Sequence, residues 1–254
     1  MSEKTFELPT TAIEAKALSP SSLLIYSAPK TGKTTVASFL EDSILFELEP
    51  RGADFVSAVK VQCETYEDIV GYCKKIRETG KPYKYGILDT ITALEDMVLP
   101  LAGKLYRDTV MGKNWGKLED GITDDPKANV LKLPNGAGYQ YTREAFFKVL
   151  DFFTGSFERV ILLGHLKDKF ITIDSKEVTA KEIDLQGKNK SLTCAKVDAI
   201  GVLYRKENKT ILSFKTDETT ICGSRASHLK NKDIVLLEEI DGNLVSHWNR
   251  IYID

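Results

Sequence analysis

Short unbroken apolar runs, each closed by a polar turn and followed by a helical periodicity, set the rhythm of this chain. Leu23-Leu24-Ile25-Tyr26 is the first run and Ser43–Leu48 the second. Runs of this length without polar breaks fit strands buried on both faces of a parallel sheet. From Thr65 to Glu78 the apolar residues Ile69, Tyr72, Cys73 and Ile76 share one helical face, at i, i+3, i+4 and i+7. Thr65 with Asp68 predicts a capping box at its start, and Gly80 followed by Pro82 predicts its stop. Tyr85–Leu88 is a third strand ending at Asp89, Arg143–Phe153 an amphipathic helix rich in phenylalanine, and Val160–Leu163 a fourth strand ending at Gly164-His165.

Beyond His165 the rhythm changes. Phe170–Ile173, Ala199–Arg205 and Thr210–Lys215 have strand character, and a polar turn at Glu207-Asn208 joins the last two. The expectation is an α/β fold, a mostly parallel sheet with helices on both faces and a β-rich C-terminal half that finishes the sheet. Residues 1–20 are expected as an N-terminal segment, 21–222 as the main domain, and 223–254 as a C-terminal extension packed on it. The polar stretch Pro100–Tyr139 reads as a long loop, and loops of that length in compact domains are usually functional or mobile.

Composition narrows the reading. The chain has 254 residues, 42% hydrophobic and 28% charged, which allows a sizeable core and argues against wholesale disorder. A formal net charge of -2 excludes a uniformly basic nucleic-acid coat, so any such contact must come from local lysine clusters. Cys63, Cys73, Cys194 and Cys222 form no CxxC pair and no zinc spacing; reduced thiols packed as small apolar residues are expected. Met1–Pro20 has no apolar signal core, and no run approaches the ~20 residues of a membrane span. A cytoplasmic protein with no membrane partner is expected, and the sequons at Asn189 and Asn208 then carry little weight.

The strongest chemical signal is Ser27-Ala28-Pro29-Lys30-Thr31-Gly32-Lys33-Thr34-Thr35, between the first strand and a helix starting near Gly32. It fits the phosphate-loop pattern G-x-x-x-x-G-K-[ST], with Ser27 where the first glycine belongs. Gly32 lets successive N–H groups face one point, and with the following helix start they form a concave anion site. Lys33 is placed to reach the β- and γ-phosphates of ATP, and the Thr34 hydroxyl to ligate Mg²⁺. Asp89, at the carboxyl end of its strand, sits on the ligand-binding edge of such a sheet, where it holds Mg²⁺ or caps the helix that follows. Glu47 and Glu49 end the second strand, and Glu49 is preferred as the base that orients an attacking water because it lies furthest toward that edge. His165 ends the fourth strand on the same edge, as a γ-phosphate contact or as a locally satisfied histidine. Lys167 and Lys169 behind it are exposed lysines or transition-state cations, in cis or across a subunit boundary.

The ordered segments SAPKTGKTT, FELEPRG, YGILDTITAL, VILLGHLKDK and VDAIGVLYR resemble the RecA-superfamily ATPases encoded by phages, among them AAA-domain nucleotide-binding proteins and single-strand annealing ATPases. The resemblance runs from about Ser21 to Cys222. It implies a RecA-like P-loop core that binds and hydrolyses Mg-ATP, with Ser27–Thr35 as nucleotide loop, Glu49 as water-activating carboxylate, Asp89 as metal residue and His165 as polar sensor. It also implies single-stranded DNA as partner, a ring or filament of like subunits, and phage recombination or replication proteins. His165 differs from the glutamine of RecA itself. The DNA loops of such proteins fall here on Pro100–Tyr139 and Lys167–Lys190. The first carries Lys104, Arg107, Lys113, Trp115 and Lys117 near Tyr139 and Tyr141, and the second Lys181, Lys188 and Lys190. Glu119, Asp120, Asp124 and Asp125 dilute the first, so a solvated loop is an equal reading. A small-molecule or nucleoside kinase, and a DNA-annealing scaffold that binds nucleotide structurally, remain as alternatives.

Overall fold

The computed structural model describes residues 8, 10–12, 14, 17–122, 125, 128–173 and 176–254. Most of the expected 1–20 segment, and Asp124 of the acidic group, lie outside the described residues. In chain order the elements are β1 (Ser22–Ser27), α1 (Lys33–Ser38), β2 (Ser43–Glu47), β3 (Lys60–Gln62), α2 (Tyr66–Glu78), β4 (Tyr85–Asp89), α3 (Ile91–Met97), α4 (Leu99–Arg107) and α5 (Gly138–Thr154). They continue as β5 (Arg159–Ile173), β6 (Lys176–Ile183), α6 (Gly187–Lys196), β7 (Ala199–Lys206), β8 (Lys209–Ser213), β9 (Gly223–Ser224), β10 (Asp233–Ile240) and β11 (Asn243–Ser246).

One sheet runs β11-β10-β8-β7-β1-β5-β4-β2-β3. Every pairing from β3 to β7 is parallel, and those among β7, β8, β10 and β11 are antiparallel. The expected architecture, a mostly parallel sheet finished by a β-rich C-terminal half, is what forms. Strand alternation then sorts the apolar runs onto two faces. Leu24, Tyr26, Phe46, Leu88 and Leu162 join a core with Ile69 and Cys73 of α2 and Phe146 and Phe153 of α5. Their neighbours Leu23, Ile25, Leu45, Ile87 and Ile161 join a second core with Val36 and Ala37 of α1 and Trp248, Ile251 and Tyr252 near the chain's end. Unbroken runs in sequence are therefore strands with no solvated face.

The capping box at α2 is present: Thr65 accepts from the Asp68 N–H, and the Asp68 carboxylate accepts from the Thr65 N–H at 2.8 Å. Two expectations need correction. Pro100–Tyr139 is not one loop, because α4 occupies its start, with Pro100 in the first turn where a missing N–H costs nothing, and α5 begins at Gly138. Lys167–Lys190 is not a loop either. β5 does not stop at His165 but runs on to Ile173 and pairs antiparallel with β6, from Leu166↔Ile183 to Ile173↔Lys176, and α6 follows. Clear of the main sheet, this hairpin arm needs no continuous apolar run to be stable as a ladder, so its polar residues resemble a loop in sequence.

Among the described residues no helix is long and apolar enough to cross a membrane. Cys63, Cys73 and Cys222 are buried free thiols and Cys194 is half-buried. Asn189 is 5% exposed and its amide donates to Glu95 Oε1 at 2.6 Å, which removes it from the surface.

Candidate nucleotide site

The parallel register brings the ends of β1, β2, β4 and β5 to one edge of the sheet. Ser27 pairs with His165 across β1 and β5, and Glu47 with Asp89 across β2 and β4. The loop after β1 turns back over this edge. Gly32 has φ 102°, the left-handed region that glycine tolerates best, and a Cβ there would lie 3.0 Å from Arg205. Ser27 is not among the positive-φ residues, so its position does not demand glycine. Fully buried, Ser27 instead seats the lysine: Lys33 Nζ donates to its Oγ at 3.2 Å and to its carbonyl at 3.4 Å. Since α1 has only six residues, the loop N–H groups and the Lys33 ammonium carry the attraction for an anion rather than a long helix dipole.

Thr34 Oγ1 donates to Asp89 Oδ2 at 2.6 Å. Glu49 Oε1 accepts from Thr90 Oγ1 at 2.6 Å and meets His165 Nε2 at 2.7 Å. Facing a carboxylate, Nε2 is the nitrogen that carries hydrogen, which leaves the buried Nδ1 as the unpaired atom. The His165 N–H donates to Thr92 Oγ1, fixing the strand beside α3. Lys33, Thr34, Glu49, Asp89, Thr90 and His165 line one cleft of about 380 Å³, with Pro29, Lys30 and Thr35 along its loop side. The sequence expectation placed Ser27, Lys33, Thr34, Glu49, Asp89 and His165 on one edge, and the structure gathers them there. Ala28 belongs to the loop's internal scaffold, accepting from Thr31 Oγ1 at 2.8 Å.

Electrostatics follow from burial. Desolvation pushes Lys33 below its ordinary value, against the pull of Asp89 and Glu49. Desolvation likewise raises Asp89 despite the Thr34 hydrogen bond. A buried carboxyl raised in this way is short of positive charge. Hydrogen bonding to His165 brings Glu49 below the usual carboxylate range, with burial opposing and Thr90 assisting. A hydroxyl and a carboxylate oxygen side by side are hard donors suited to Mg²⁺, so these residues fit the ion.

Other candidates fall away from the cleft. Glu47, beside Glu49 in the sequence, is 3% exposed and accepts from the Ala53 N–H at 2.7 Å, which holds the turn after β2. Lys167 pairs with Asp184 at 3.3 Å on the hairpin arm, and neither it nor Lys169 lines the cleft. Trp115 and Tyr141 both pack on Tyr106, at ring distances of 5.4 and 5.1 Å, whereas Tyr139 is 54% exposed. The cleft also takes in Gly52, Phe55, Val56, Thr90 and Arg205, which the sequence does not single out. Thr90 caps α3 and also donates to Glu49. Arg205 ends the run VDAIGVLYR, and the strand-end rule that found Asp89 and His165 applies to it equally.

A family model described as an AAA domain matches residues 19–226. No curated protein sequence matches the chain. Among solved structures, a KaiC-like protein from the hyperthermophilic archaeon Pyrococcus horikoshii OT3 is similar at 13% identity, covering 89% of each chain with a TM-score of 0.45.

Proposed function

Because the chain belongs to the AAA-domain family, whose model spans residues 19–226, we propose that it binds Mg-ATP in this cleft and hydrolyses it. The observation that carries the reading is the 2.6 Å contact between Thr34 and Asp89, from two different elements, beside a buried lysine and an ionised glutamate. Lys33 trades its Ser27 contacts for phosphate oxygens, and the loop N–H groups take the rest of the negative charge. Thr34 and Asp89 hold Mg²⁺, which when bound neutralises charge on the phosphates. Glu49 orients a water for attack and takes its proton, while His165 and Thr90 fix the carboxylate in place.

ATP turnover by the purified chain, compared with Lys33→Ala, tests this. Activity in the parent protein and loss of nucleotide binding in the variant are expected; equal binding by both would remove the reading. Phosphate released without any acceptor separates hydrolysis from a kinase.

The proposal extends to a partner. The resemblance to phage RecA-like ATPases supports a role in recombination, annealing or replication on single-stranded DNA, in an oligomer. Lys169 and Lys181 on the β5–β6 arm are available to track phosphates. Turnover measured with and without single-stranded DNA at several salt concentrations is expected to show stimulation that falls steeply with salt.

A further inference from the structure

Two clefts meet at Thr35 and Arg205. The first is the phosphate cleft; the second, of about 230 Å³, opens between the tips of the β7–β8 and β10–β11 hairpins, and both residues line both spaces. β7 is the parallel neighbour of β1, so its outer end comes up beside the phosphate loop. There Arg205 folds back over the loop, its Nε donating to the Thr31 carbonyl at 2.9 Å. Among the described residues no carboxylate pairs with it, so a cation stands over the junction of the two clefts.

Sheet order gives the bound nucleotide a direction. The groups that handle the terminal phosphate, Asp89 and Glu49, belong to β4 and to the end of β2, on one side of β1. A triphosphate laid with its terminal group there must leave the loop on the opposite side, toward β7, across Thr35 and under Arg205. The second cleft lies in that path. Glu207 and Glu239 stand in it against Arg205 and Lys209, and Lys209 also pairs with Glu238, so the lining has no surplus of positive charge for more phosphate and suits a neutral sugar and base. Leu237 and Leu244 offer apolar surface, and the two carboxylates accept from hydroxyl or amino groups.

We propose that the cleft between the two hairpin tips takes the nucleoside of the bound nucleotide, and that Arg205 is the positioning residue that covers it, its guanidinium stacked on the base. The inference rests on the Mg-ATP reading of the neighbouring cleft. A guanidinium over a ring is attracted to its face, and losing that contact at a half-desolvated site weakens binding by about tenfold.

Calorimetric titration of the full chain with ATP and, separately, with inorganic tripolyphosphate tests the proposal. Arg205 is exposed and Leu244 is 47% exposed, so Arg205→Ala and Leu244→Trp leave the core intact. Each variant is expected to weaken ATP about tenfold and to leave tripolyphosphate within about twofold, whereas Lys33→Ala weakens both ligands. Equal weakening of both ligands by Arg205→Ala would make the arginine a phosphate ligand and overturn the proposal. So would no effect of either variant, or an ATP-specific loss in Phe55→Ala alone, since Phe55 lines the phosphate cleft on the β2 side. Failure of Lys33→Ala to weaken either ligand would instead sink the reading of the phosphate cleft itself.

Discussion

Glu49 and His165 come from different strands and share one short hydrogen bond, and that bond divides their roles. The carboxylate faces the cleft; the imidazole holds it there and keeps it ionised. Replacing the carboxylate by an amide preserves shape but removes the base. Glu49→Gln is therefore expected to keep ATP affinity while turnover falls by about 10²–10⁴. Single-turnover and binding measurements on the same preparation check this, and a variant that hydrolyses at the parent rate would take Glu49 out of the chemistry. Ser27 makes a related point. A serine in the glycine position of the loop is tolerated because the backbone there needs no special conformation, and its hydroxyl holds Lys33 ready.

At the scale of elements, the capping box of α2 makes a quantitative statement. Thr65→Ala removes the side-chain acceptor for the Asp68 N–H and is expected to cost about 1 kcal/mol in chemical denaturation. Asp68 contributes through its ionised form. Hydrogen bonds from the Thr65 N–H and then its hydroxyl hold the carboxyl below its ordinary value. A folded value below the unfolded one means the contribution is full above about pH 4 and disappears as pH falls through the folded value. The stability gap between the parent and Asp68→Ala should accordingly close in acid; a gap of equal size at pH 7 and about pH 2 would contradict it.

The same scale shows what the sequence could disclose. β1, β2 and β4 were legible because burial on both faces leaves no polar residue inside them, and their polar ends then mark the site. Phe170–Ile173 was legible as strand, but its continuity with the inner half of β5 was not, because beyond the sheet the strand pairs only with β6 and the intervening Lys167, Asp168 and Lys169 carry no burial signal. α4 was masked by Pro100 and Gly103, of which Pro100 sits in the first turn, where it costs the helix nothing, and Gly103 is buried against Trp115. Arg205 closes an apolar run as Asp89 and His165 do, but no pattern along the chain says that β7 lies beside β1.

For the whole molecule, the sheet has two covers of unequal kind. Helices α2 to α5 cover one face, while α1 and the segment around Trp248 cover the other. Both edges of the sheet are short strands, β3 with three residues and β11 with four, which limits the template offered to other chains. Trp248 matters most on its face. It is 6% exposed, stacks on Tyr252 at 6.0 Å, and its indole Nε1 donates to the Val36 carbonyl at 2.9 Å. Trp248→Phe is expected to lower unfolding stability by about 1 kcal/mol through the lost indole hydrogen bond, since the Val36 carbonyl still accepts from the Phe39 N–H, and Trp248→Ala by about 3–5 kcal/mol through the void. Thermal melts of the two variants check the order.

That indole bond spans 212 residues of chain and closes a helix of six, far below the length that persists alone in water. During synthesis on the ribosome, then, this helix emerges long before the tryptophan that completes it. The nascent polypeptide can pair β1 with later strands as these emerge, yet it acquires a finished phosphate grip only when Trp248 has left the exit tunnel. Nucleotide added to a translation reaction should protect full-length product from protease and leave arrested, shorter chains as vulnerable as before.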